Sequence, residues 1–306
     1  MATATIRQTA LPLTNKEVQA FSDNGFLTFE QLVAPSELET LRRMLEHLFD
    51  TRAGEDEGAQ LDLLAPSGGP NSARTSPQIT NPANYAPELH QMPFFRDALT
   101  IAKQLLGERA RFLWDMAIRK APKVGAPTPW HQDEAYRDPN FEYTELTIWI
   151  AMQDMPVENG CLRFLPGSHR IGVLEHGSAN NDPSCQALQC TSDLDPVACV
   201  SCPLRAGDCS IHHHRTLHCS NPNTASNPRL AYILIFGLPP HRIESARAFP
   251  WLEERHTHAQ DLRRQWMWRG GLFVTAWRRL RRGEFPDWLS IKYAIKRSLD
   301  VLHSGR

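Results

Sequence analysis

The chain has 306 residues, of which 41% are apolar and 22% charged, an ordinary composition for a globular protein with a substantial core. Its formal net charge of −1 argues against a nucleic-acid or membrane-surface partner. No run of about 18 apolar residues predicts a membrane span, and the N-terminus lacks the apolar stretch of a secretory signal. The seven cysteines are therefore expected to be reduced thiols in a cytoplasmic protein.

Residues 12–110 are predicted to be helical with one long loop. The first helix has Thr14 or Asn15 as its cap and ends at Gly25, and a second, amphipathic helix follows shortly after. Residues 65–82 contain four prolines, two glycines and few apolar side chains. This composition indicates a long loop, which is either a lid over a site or disordered.

Residues 111–238 consist of short, β-prone runs separated by turn signals such as "ENG" and "AGD". Many short strands at this spacing predict a double-sheet roll or barrel rather than an α/β fold. Residues 239–306 return to a helical pattern, clearest in 259–268 and 288–302. We therefore expect one mainly β domain over 1–306, with N-terminal helices and a C-terminal helical extension.

His131 and Asp133 form the first pair of residues along the chain that suggests a metal site. In an extended chain, residues i and i+2 point to the same face, so an imidazole and a carboxylate approach one point while Gln132 points elsewhere. A third ligand must come from a distant strand. Two histidines and one carboxylate on one face of an octahedron leave three positions open, which suits Fe(II) that binds oxygen and a co-substrate together.

Four histidines within seven positions, at 212–214 and 218, are the candidates for that third ligand. Adjacent side chains on a strand face opposite sides, so the three consecutive histidines cannot all reach one metal. His218 stands just before a turn, and Arg229 follows eleven residues later at the start of a β-prone run. A short reversal is expected to place the two on neighbouring strands, where the guanidinium can bind a carboxylate bidentately near the metal.

The HxD pair, followed by "ENGCLRFLPGSHR" and "AGDCSIHHHRTLHCSNPNTASNPR", resembles the phytanoyl-CoA dioxygenase family of Fe(II)/2-oxoglutarate oxygenases. The similarity covers about residues 12–238. It implies a double-stranded β-helix, a jelly-roll or cupin-like core, in agreement with the strand-rich middle of the chain. It also implies that His131, Asp133 and His218 are the iron ligands.

The same resemblance implies a co-substrate site. Arg229 corresponds to the residue that binds the distal carboxylate of 2-oxoglutarate, and Ser220 to one that hydrogen-bonds the same group. Gln132 and Trp149 match positions that line the co-substrate pocket, and Met116 is a looser match. The implied reaction consumes O2, converts 2-oxoglutarate to succinate and CO2, and hydroxylates an unactivated C–H bond of a small organic molecule. By analogy with such relatives, this substrate is an intermediate of specialised metabolism.

Asp133 bears on the choice of reaction, because halogenating relatives have a small residue in its place. Its presence favours hydroxylation, while desaturation, cyclisation, epoxidation and a catalytically silent binding protein of the same fold stay open. A metal-dependent hydrolase or isomerase gives no reason for Arg229 at its offset from His218. Tyr136 and Arg137, just after the HxD pair, are predicted to contact the substrate.

The other histidines of these motifs are given less specific roles. His212 and His214 are predicted to lie at the pocket edge or the surface, with a proton-transfer role toward substrate as the alternative. His213 is predicted to be packed, and His169 in "PGSH" to stabilise a turn rather than bind metal.

A CxxC pair and a basic C-terminal segment are two further features of the chain. Cys199 and Cys202 form a CxxC, but "ACVSCPL" has the pattern of a strand, in which these side chains face opposite sides, so zinc binding is discounted. Residues 260–306 hold eleven Lys or Arg against four Asp or Glu, interspersed with tryptophans. This segment is predicted to be a helical cover over the barrel or the contact of a homodimer.

Overall fold

The computed structural model describes residues 11–63, 75–123, 127–193 and 198–281. Its helices are α1 (Asn15–Asn24), α2 (Pro35–Asp50), α3 (Pro93–Leu106), α4 (Pro250–Glu254), α5 (His258–Trp266) and α6 (Leu272–Arg281). Within this described part of the chain, no helix combines the length and the apolar character that crossing a bilayer requires.

The strands form two main antiparallel sheets. The larger sheet has the order β1 (Phe26–Phe29), β12 (Cys209–His213), β7 (Glu145–Ala151), β14 (Arg229–Gly237), β4 (Arg111–Lys120), β3 (Pro77–Thr80) and β2 (Gln60–Asp62). The smaller sheet has the order β11 (Val200–Cys202), β8 (Leu162–Phe164), β13 (His218–Ser220) and β5 (Thr128–His131). Two short ribbons pair β9 (His176–Ser178) with β10 (Leu188–Cys190) and β6 (Phe141–Glu142) with β15 (His241–Arg242).

The larger sheet is covered on both faces, and this explains why β7 and β14 are buried along their whole length and mostly apolar. On one face, Trp149 and Ile233 pack toward Leu162 and Phe164 of the smaller sheet. On the other face, the helices α1, α2 and α3 contribute a second and larger apolar cluster. The predicted mainly β architecture, with two facing sheets and flanking helices, is confirmed.

The first helix begins and ends as its sequence predicts. The Thr14 hydroxyl accepts a hydrogen bond from the Glu17 amide, and the Glu17 side chain accepts one from the Thr14 amide, which together form a capping box. Gly25 ends the helix with φ of 80°, in the left-handed region that favours glycine. Its carbonyl then accepts a hydrogen bond from the Thr216 hydroxyl, which ties α1 to the segment that leads into β13.

The predicted boundary at residue 111 does not limit the sheet, because β1, β2 and β3 from the N-terminal region join the larger sheet. The predicted loop over 65–82 is wrong at its end, where β3 pairs with β4. Residues 65–74 lie outside the described part of the chain, as does the helix predicted over 288–302. The helix predicted over 259–268 is present as α5, and "ACVSCPL" contains β11 as predicted.

Gly25→Ala tests whether the close approach of α1 to the site-bearing strands matters for stability. An added Cβ would lie 2.4 Å from His169 Nδ1 and 2.6 Å from Thr216 Oγ1. Gly270 has a similar φ of 98°, but its Cβ would meet nothing within 4 Å, so Gly270→Ala is the matched control. We expect Gly25→Ala to lower the free energy of unfolding by about 1–3 kcal/mol more than Gly270→Ala in urea titrations. Equal losses would show that backbone conformation alone matters.

Candidate active site

Among the described residues, His131, Asp133 and His218 form a group whose ligand atoms all lie within 4.8 Å of one another. The β5–β13 pairing places His131 opposite His218, with ring centroids 4.2 Å apart. His131 ends β5 and Gln132 is extended, with φ of −116° and ψ of 136°, so the HxD pair shares a face as predicted before the chain enters a 3-10 turn at Asp133. Asp133 Oδ1 lies 3.9 Å from His131 Nε2 and 3.7 Å from His218 Nε2.

Both imidazoles present the same nitrogen to this group. His131 Nδ1 donates to the Pro129 carbonyl at 2.8 Å, and His218 Nδ1 donates to the Thr216 carbonyl at 3.0 Å. The unprotonated nitrogen of each neutral ring is therefore Nε2, which faces Asp133. Burial lowers the pKa of both His131 and His218 to about 4, so both rings are neutral at pH 7. Neutral imidazole is the form that binds a metal.

The carboxylate of Asp133 is oriented by the larger sheet. The Thr147 hydroxyl donates to Asp133 Oδ2 at 2.7 Å, and His212 Nε2 lies 3.3 Å from the same oxygen. Thr147 and His212 face each other in the β7–β12 pairing, which is why both reach one atom. Burial alone would raise the pKa of Asp133, but His218, His212 and His131 hold it well below its usual range. An ionised carboxylate thus keeps Oδ1 available to the two imidazoles.

Of the four other histidines considered in the sequence motifs, His212 contacts Asp133 of the metal group and the other three lie elsewhere. His212 lines the cavity but is buried rather than at the surface. For His214 the prediction is wrong, because it is buried with Nε2 2.7 Å from a Glu134 oxygen. His213 packs between His169 and His214, in agreement with its predicted role. His169 contacts the Ser22 carbonyl at 3.0 Å and so connects its turn to α1.

The metal group opens into a cavity of about 840 Å³ that Arg229 also lines. The Arg229 side chain is 1% exposed, donates from Nη1 to the Gly160 carbonyl, and has no partner for Nε among the described residues. Its Cζ lies 5.2 Å from the centroid of the Trp149 ring. None of the ion pairs in the described part of the chain involves Arg229. A buried guanidinium without a carboxylate calls for an anionic ligand.

The prediction that His218 and Arg229 lie on neighbouring strands is wrong. β13 belongs to the smaller sheet and β14 to the larger sheet, so the two residues line the cavity from different sheets. Ser220, Trp149 and Met116 line the same cavity, where the family resemblance placed them.

Lys120 is a residue that sequence reasoning missed. Its amino group is buried and donates to Ser220 Oγ at 2.9 Å and to the Asn221 carbonyl at 3.0 Å. The β4–β14 register places it opposite Arg229. Burial and the nearby charge of Arg229 lower the pKa of Lys120 to about 6. A lysine that ends a β-prone run is an ordinary sequence feature, and only the strand pairing shows that it stands behind Ser220.

Gln132 does not line the cavity, contrary to the prediction. Its side-chain amide donates to the Gly172 and Arg215 carbonyls at 2.7 Å, and its side-chain oxygen accepts from the Leu174 amide at 2.7 Å. The residue between His131 and Asp133 therefore joins the HxD turn to two neighbouring segments.

Tyr136 and Arg137, the predicted substrate contacts, both line the cavity. The Tyr136 ring meets the His131 ring edge-on, with centroids 6.1 Å apart. Arg137 pairs with Glu145 at 2.5 Å, and its Cζ lies 5.3 Å from the Trp114 ring centroid. Its charge is therefore already balanced by a carboxylate.

Other walls of the cavity come from the 65–82 segment and the C-terminal helices, both predicted to cover a site, and from a segment around residue 186. The residues that line the cavity there are Gln78 and Thr80 of β3, Gln186, and α5 and α6 residues including Trp266. Trp266 agrees with a C-terminal cover whose aromatic side chains face the barrel. Trp268 of the same region is 69% exposed and so does not contribute to this wall.

Glu134, next to Asp133, is the anionic centre of a buried cluster. His214 Nε2 lies 2.7 Å and Arg247 Nη1 2.6 Å from its oxygens, and Arg215 also pairs with it. Burial alone would raise the pKa of Glu134, but the hydrogen bonds from His214, Arg215 and Arg247 hold it well below its usual range. The cluster joins the HxD turn to β12 and to the start of the C-terminal extension.

A model of the phytanoyl-CoA dioxygenase (PhyH) family matches residues 21–231. The chain belongs to the phytanoyl-CoA dioxygenase family. The match spans His131, Asp133, His218 and Arg229, and it ends before the C-terminal helices.

Known members and structures resemble much of the chain. Phytanoyl-CoA dioxygenase domain-containing protein 1 of Danio rerio is 26% identical over 262 residues, which cover 72% of this chain and 88% of that protein. A probable alpha-ketoglutarate-dependent hypophosphite dioxygenase of Stutzerimonas stutzeri is 31% identical over 161 residues, 52% of this chain and 55% of that one.

Solved structures share the fold. EvdO2 from Micromonospora carbonacea var. aurantiaca, complexed with 2-oxoglutarate, matches with a TM-score of 0.68 and 33% identity, over 80% of this chain and 99% of that one. The epimerase SnoN, in complex with Fe3+, alpha ketoglutarate and nogalamycin RO, matches with a TM-score of 0.54 and 23% identity, over 73% of this chain and 82% of that one. The second likeness is one of fold alone.

Glu134→Gln tests the buried cluster. The variant leaves His214, Arg215 and Arg247 without their anion, so we expect a loss of about 3–5 kcal/mol in the free energy of unfolding at pH 7. A carboxyl with a depressed pKa contributes stability that is fully present above the ordinary value of 4.5 and is lost as the pH falls below it. Urea titrations from pH 3 to 8 should therefore show the variant converging on the parent protein in acid. Glu175→Gln, at an exposed site, is the control, and parallel pH profiles for Glu134→Gln and the parent would contradict the role of the cluster.

Proposed function

We propose that the chain is an Fe(II)- and 2-oxoglutarate-dependent dioxygenase that hydroxylates an unactivated C–H bond of a small organic molecule. In this proposal His131, Asp133 and His218 bind the iron, and Arg229 binds the distal carboxylate of 2-oxoglutarate. Membership of the phytanoyl-CoA dioxygenase family supports the proposal, as does the likeness to EvdO2, whose structure is complexed with 2-oxoglutarate.

The observation that carries the proposal is the position of Arg229. A His–Asp–His group alone suits several metals and several reactions. Here the same cavity contains a buried guanidinium that lacks an anion and is stacked on Trp149. A metal site and an anion site in one cavity together fit a co-substrate that is both a chelating keto acid and a carboxylate.

The residues of the metal group fit Fe(II). Two neutral imidazoles and one ionised carboxylate are the donor set of the facial triad. Thr147 already occupies Oδ2 of Asp133, so Oδ1 is the oxygen free to bind a metal. Bound iron supplies the oxygen chemistry, in which 2-oxoglutarate is converted to succinate and CO2 while a substrate C–H bond is oxidised.

The chain itself positions the co-substrate. Arg229 offers a planar fork that matches a carboxylate bidentately. Lys120 donates to Ser220 Oγ, and Ser220 Oγ donates to the Thr128 hydroxyl at 3.1 Å, so a bound carboxylate would have to replace Thr128 as the acceptor of the Ser220 proton. The Trp149 ring covers one face of the guanidinium and excludes water from it. These contacts hold the distal end of the molecule while its keto acid reaches the metal.

The rest of the cavity is proposed to hold the substrate. Tyr136 lies between the metal group and the outer wall, and Met116 adds an apolar surface on the larger sheet. The pose of the substrate against these residues decides which C–H bond reacts. It also decides between hydroxylation and the desaturation, cyclisation or epoxidation that the same site supports.

We also propose a cytoplasmic location and a homodimer contact through the C-terminal helices. All seven cysteines are free thiols, and six of them are buried. Trp268, Phe273 and Trp277 are exposed apolar side chains of the C-terminal region, which supports its use as a contact surface.

The oxygenase reaction predicts two signals in sequence. Anaerobic protein with Fe(II) and 2-oxoglutarate should develop the weak visible charge-transfer band of the chelate, and admission of oxygen should then release succinate. His218→Ala should abolish both signals because it removes a metal ligand. An absence of the band and of succinate from the parent protein, with candidate substrates present, would refute the proposed function.

Arg229→Ala should separate co-substrate binding from metal binding. Loss of the buried counter-charge is expected to raise the Kd of 2-oxoglutarate by about 30- to 1,000-fold. Iron binding should change little, because the three ligands keep their partners. The band titrated with 2-oxoglutarate, and iron content measured separately, check the two effects. Arg229→Lys should recover part of the affinity, and an equal loss of iron in Arg229→Ala would contradict the assignment.

A further inference from the structure

A second guanidinium in the cavity, that of Arg255, is also buried without an anion. The residue stands between α4 and α5, lines the cavity and is 8% exposed. Its Nη2 donates to the Gln186 carbonyl at 2.6 Å, and Nε has no partner among the described residues. None of the ion pairs in the described ranges involves Arg255.

Arg255 shares each of these features with Arg229. Both guanidiniums donate to a backbone carbonyl, both have a buried and unpaired Nε, and both stack on an aromatic ring. The distance from Cζ to the ring centroid is 5.2 Å for Arg229 on Trp149 and 5.3 Å for Arg255 on Tyr136. If this arrangement at Arg229 indicates a carboxylate site, it indicates an anion site at Arg255 for the same physical reason.

The carboxylates that line the cavity, Glu57 and Asp133, already have partners. Glu57 pairs with Arg278 at 2.7 Å, and Asp133 accepts from Thr147 and lies 3.3 Å from His212 Nε2. The neutral Gln186 carbonyl satisfies one donor of Arg255 but does not balance its charge. A buried charge without a counter-charge is costly, so an anionic ligand would stabilise this site.

The place of Arg255 relative to the metal group limits what the anion belongs to. Arg255 lies over the Tyr136 ring, and the edge of that ring meets His131. The anion site is therefore separated from the metal group by one aromatic side chain, within the same cavity. A molecule that spans Tyr136 would present one end to Arg255 and the other to the metal group.

We propose that Arg255 binds an oxyanion of the substrate, so that the molecule oxidised is an anionic one, such as a carboxylate or a sulfate or phosphate ester. The inference rests on the proposed function, because it assigns the substrate class of that same site. The bond that reacts then lies several atoms from the anionic group, on the metal side of Tyr136. Arg255 follows the residues that match the family model, so the anion site is a feature that the family match does not supply.

Calorimetric titration with sodium sulfate tests the site directly. Anaerobic protein is loaded with Fe(II) and saturated with 2-oxoglutarate, so that the site at Arg229 is occupied, and ionic strength is held constant with sodium chloride. We expect Arg255→Gln to weaken sulfate binding by about 10- to 100-fold, the loss typical of a charged hydrogen-bond partner. Arg264→Gln is the matched control, because Arg264 is exposed on α5 and does not line the cavity.

A second variant and a second anion make the result of this titration unambiguous. Arg255→Lys keeps the charge but loses the planar fork, so sulfate affinity should fall by about 3- to 10-fold even if Arg255→Gln fails to fold. Sodium acetate in place of sulfate distinguishes a site for carboxylates from one for dianions. Undiminished affinity in both Arg255 variants, or no binding of either anion to the parent protein, would overturn the inference. The charge-transfer band in the same samples reports on the proposed function separately, and the sulfate titration can be repeated without 2-oxoglutarate if no band forms.

Discussion

Strands β5 and β13 pair antiparallel, and this pairing places His131 opposite His218. Adjacent strands lie about 4.8 Å apart, so two imidazoles at facing positions are already at a spacing that one metal ion can bridge. Asp133 reaches the same point because Gln132 is extended, which points the side chains of His131 and Asp133 to the same face. The metal group is thus a consequence of one strand register, and a slip of one residue in β13 would move His218 to the opposite face of its sheet.

The smaller sheet supplies the two histidines of the metal group, and the larger sheet orients its carboxylate. Thr147 and His212, which face each other across β7 and β12, hold the outer oxygen of Asp133. The next residue, Glu134, has a structural role, because its buried carboxylate joins the turn to β12 and to Arg247 in the C-terminal segment. Of these two consecutive carboxylates, Asp133 therefore offers an oxygen to a metal, and Glu134 fixes the turn that positions Asp133.

The sequence predicted those parts of the site that depend on local spacing. The convergence of His131 and Asp133 and the helix from Thr14 to Gly25 follow from short-range geometry. The choice of solitary His218 over its three neighbours came from its offset to Arg229 and from the family resemblance, and His218 does lie at the metal group. Parts that depend on which strands become neighbours were missed or misplaced. Lys120 and the contact of His212 with Asp133 are examples, because register between distant strands is set by the packing of the two sheets and not by local pattern.

Other errors concern residues whose contacts are made with distant segments. The family resemblance placed Gln132 at the pocket, although alternation along an extended chain points it away from His131 and Asp133, and its side-chain amide binds three backbone groups of neighbouring segments. The strand β3 follows prolines and glycines that are typical of a loop, and it is extended where it pairs with β4. In both cases the contacts with distant segments decide where the residues lie.

The side-by-side placement of Lys120 and Arg229 has a consequence for the protein before it meets its co-substrate. The Lys120 amine and the Arg229 guanidinium face each other across β4 and β14, deep in the interior, and burial together with the charge of Arg229 lowers the pKa of Lys120 to about 6, so this amine is largely neutral at pH 7. A dicarboxylate bound at Arg229 would bring negative charge to this place and favour the protonated form of Lys120, so binding would be linked to the uptake of a proton. Because the co-substrate binds the folded chain, its binding free energy also stabilises the fold.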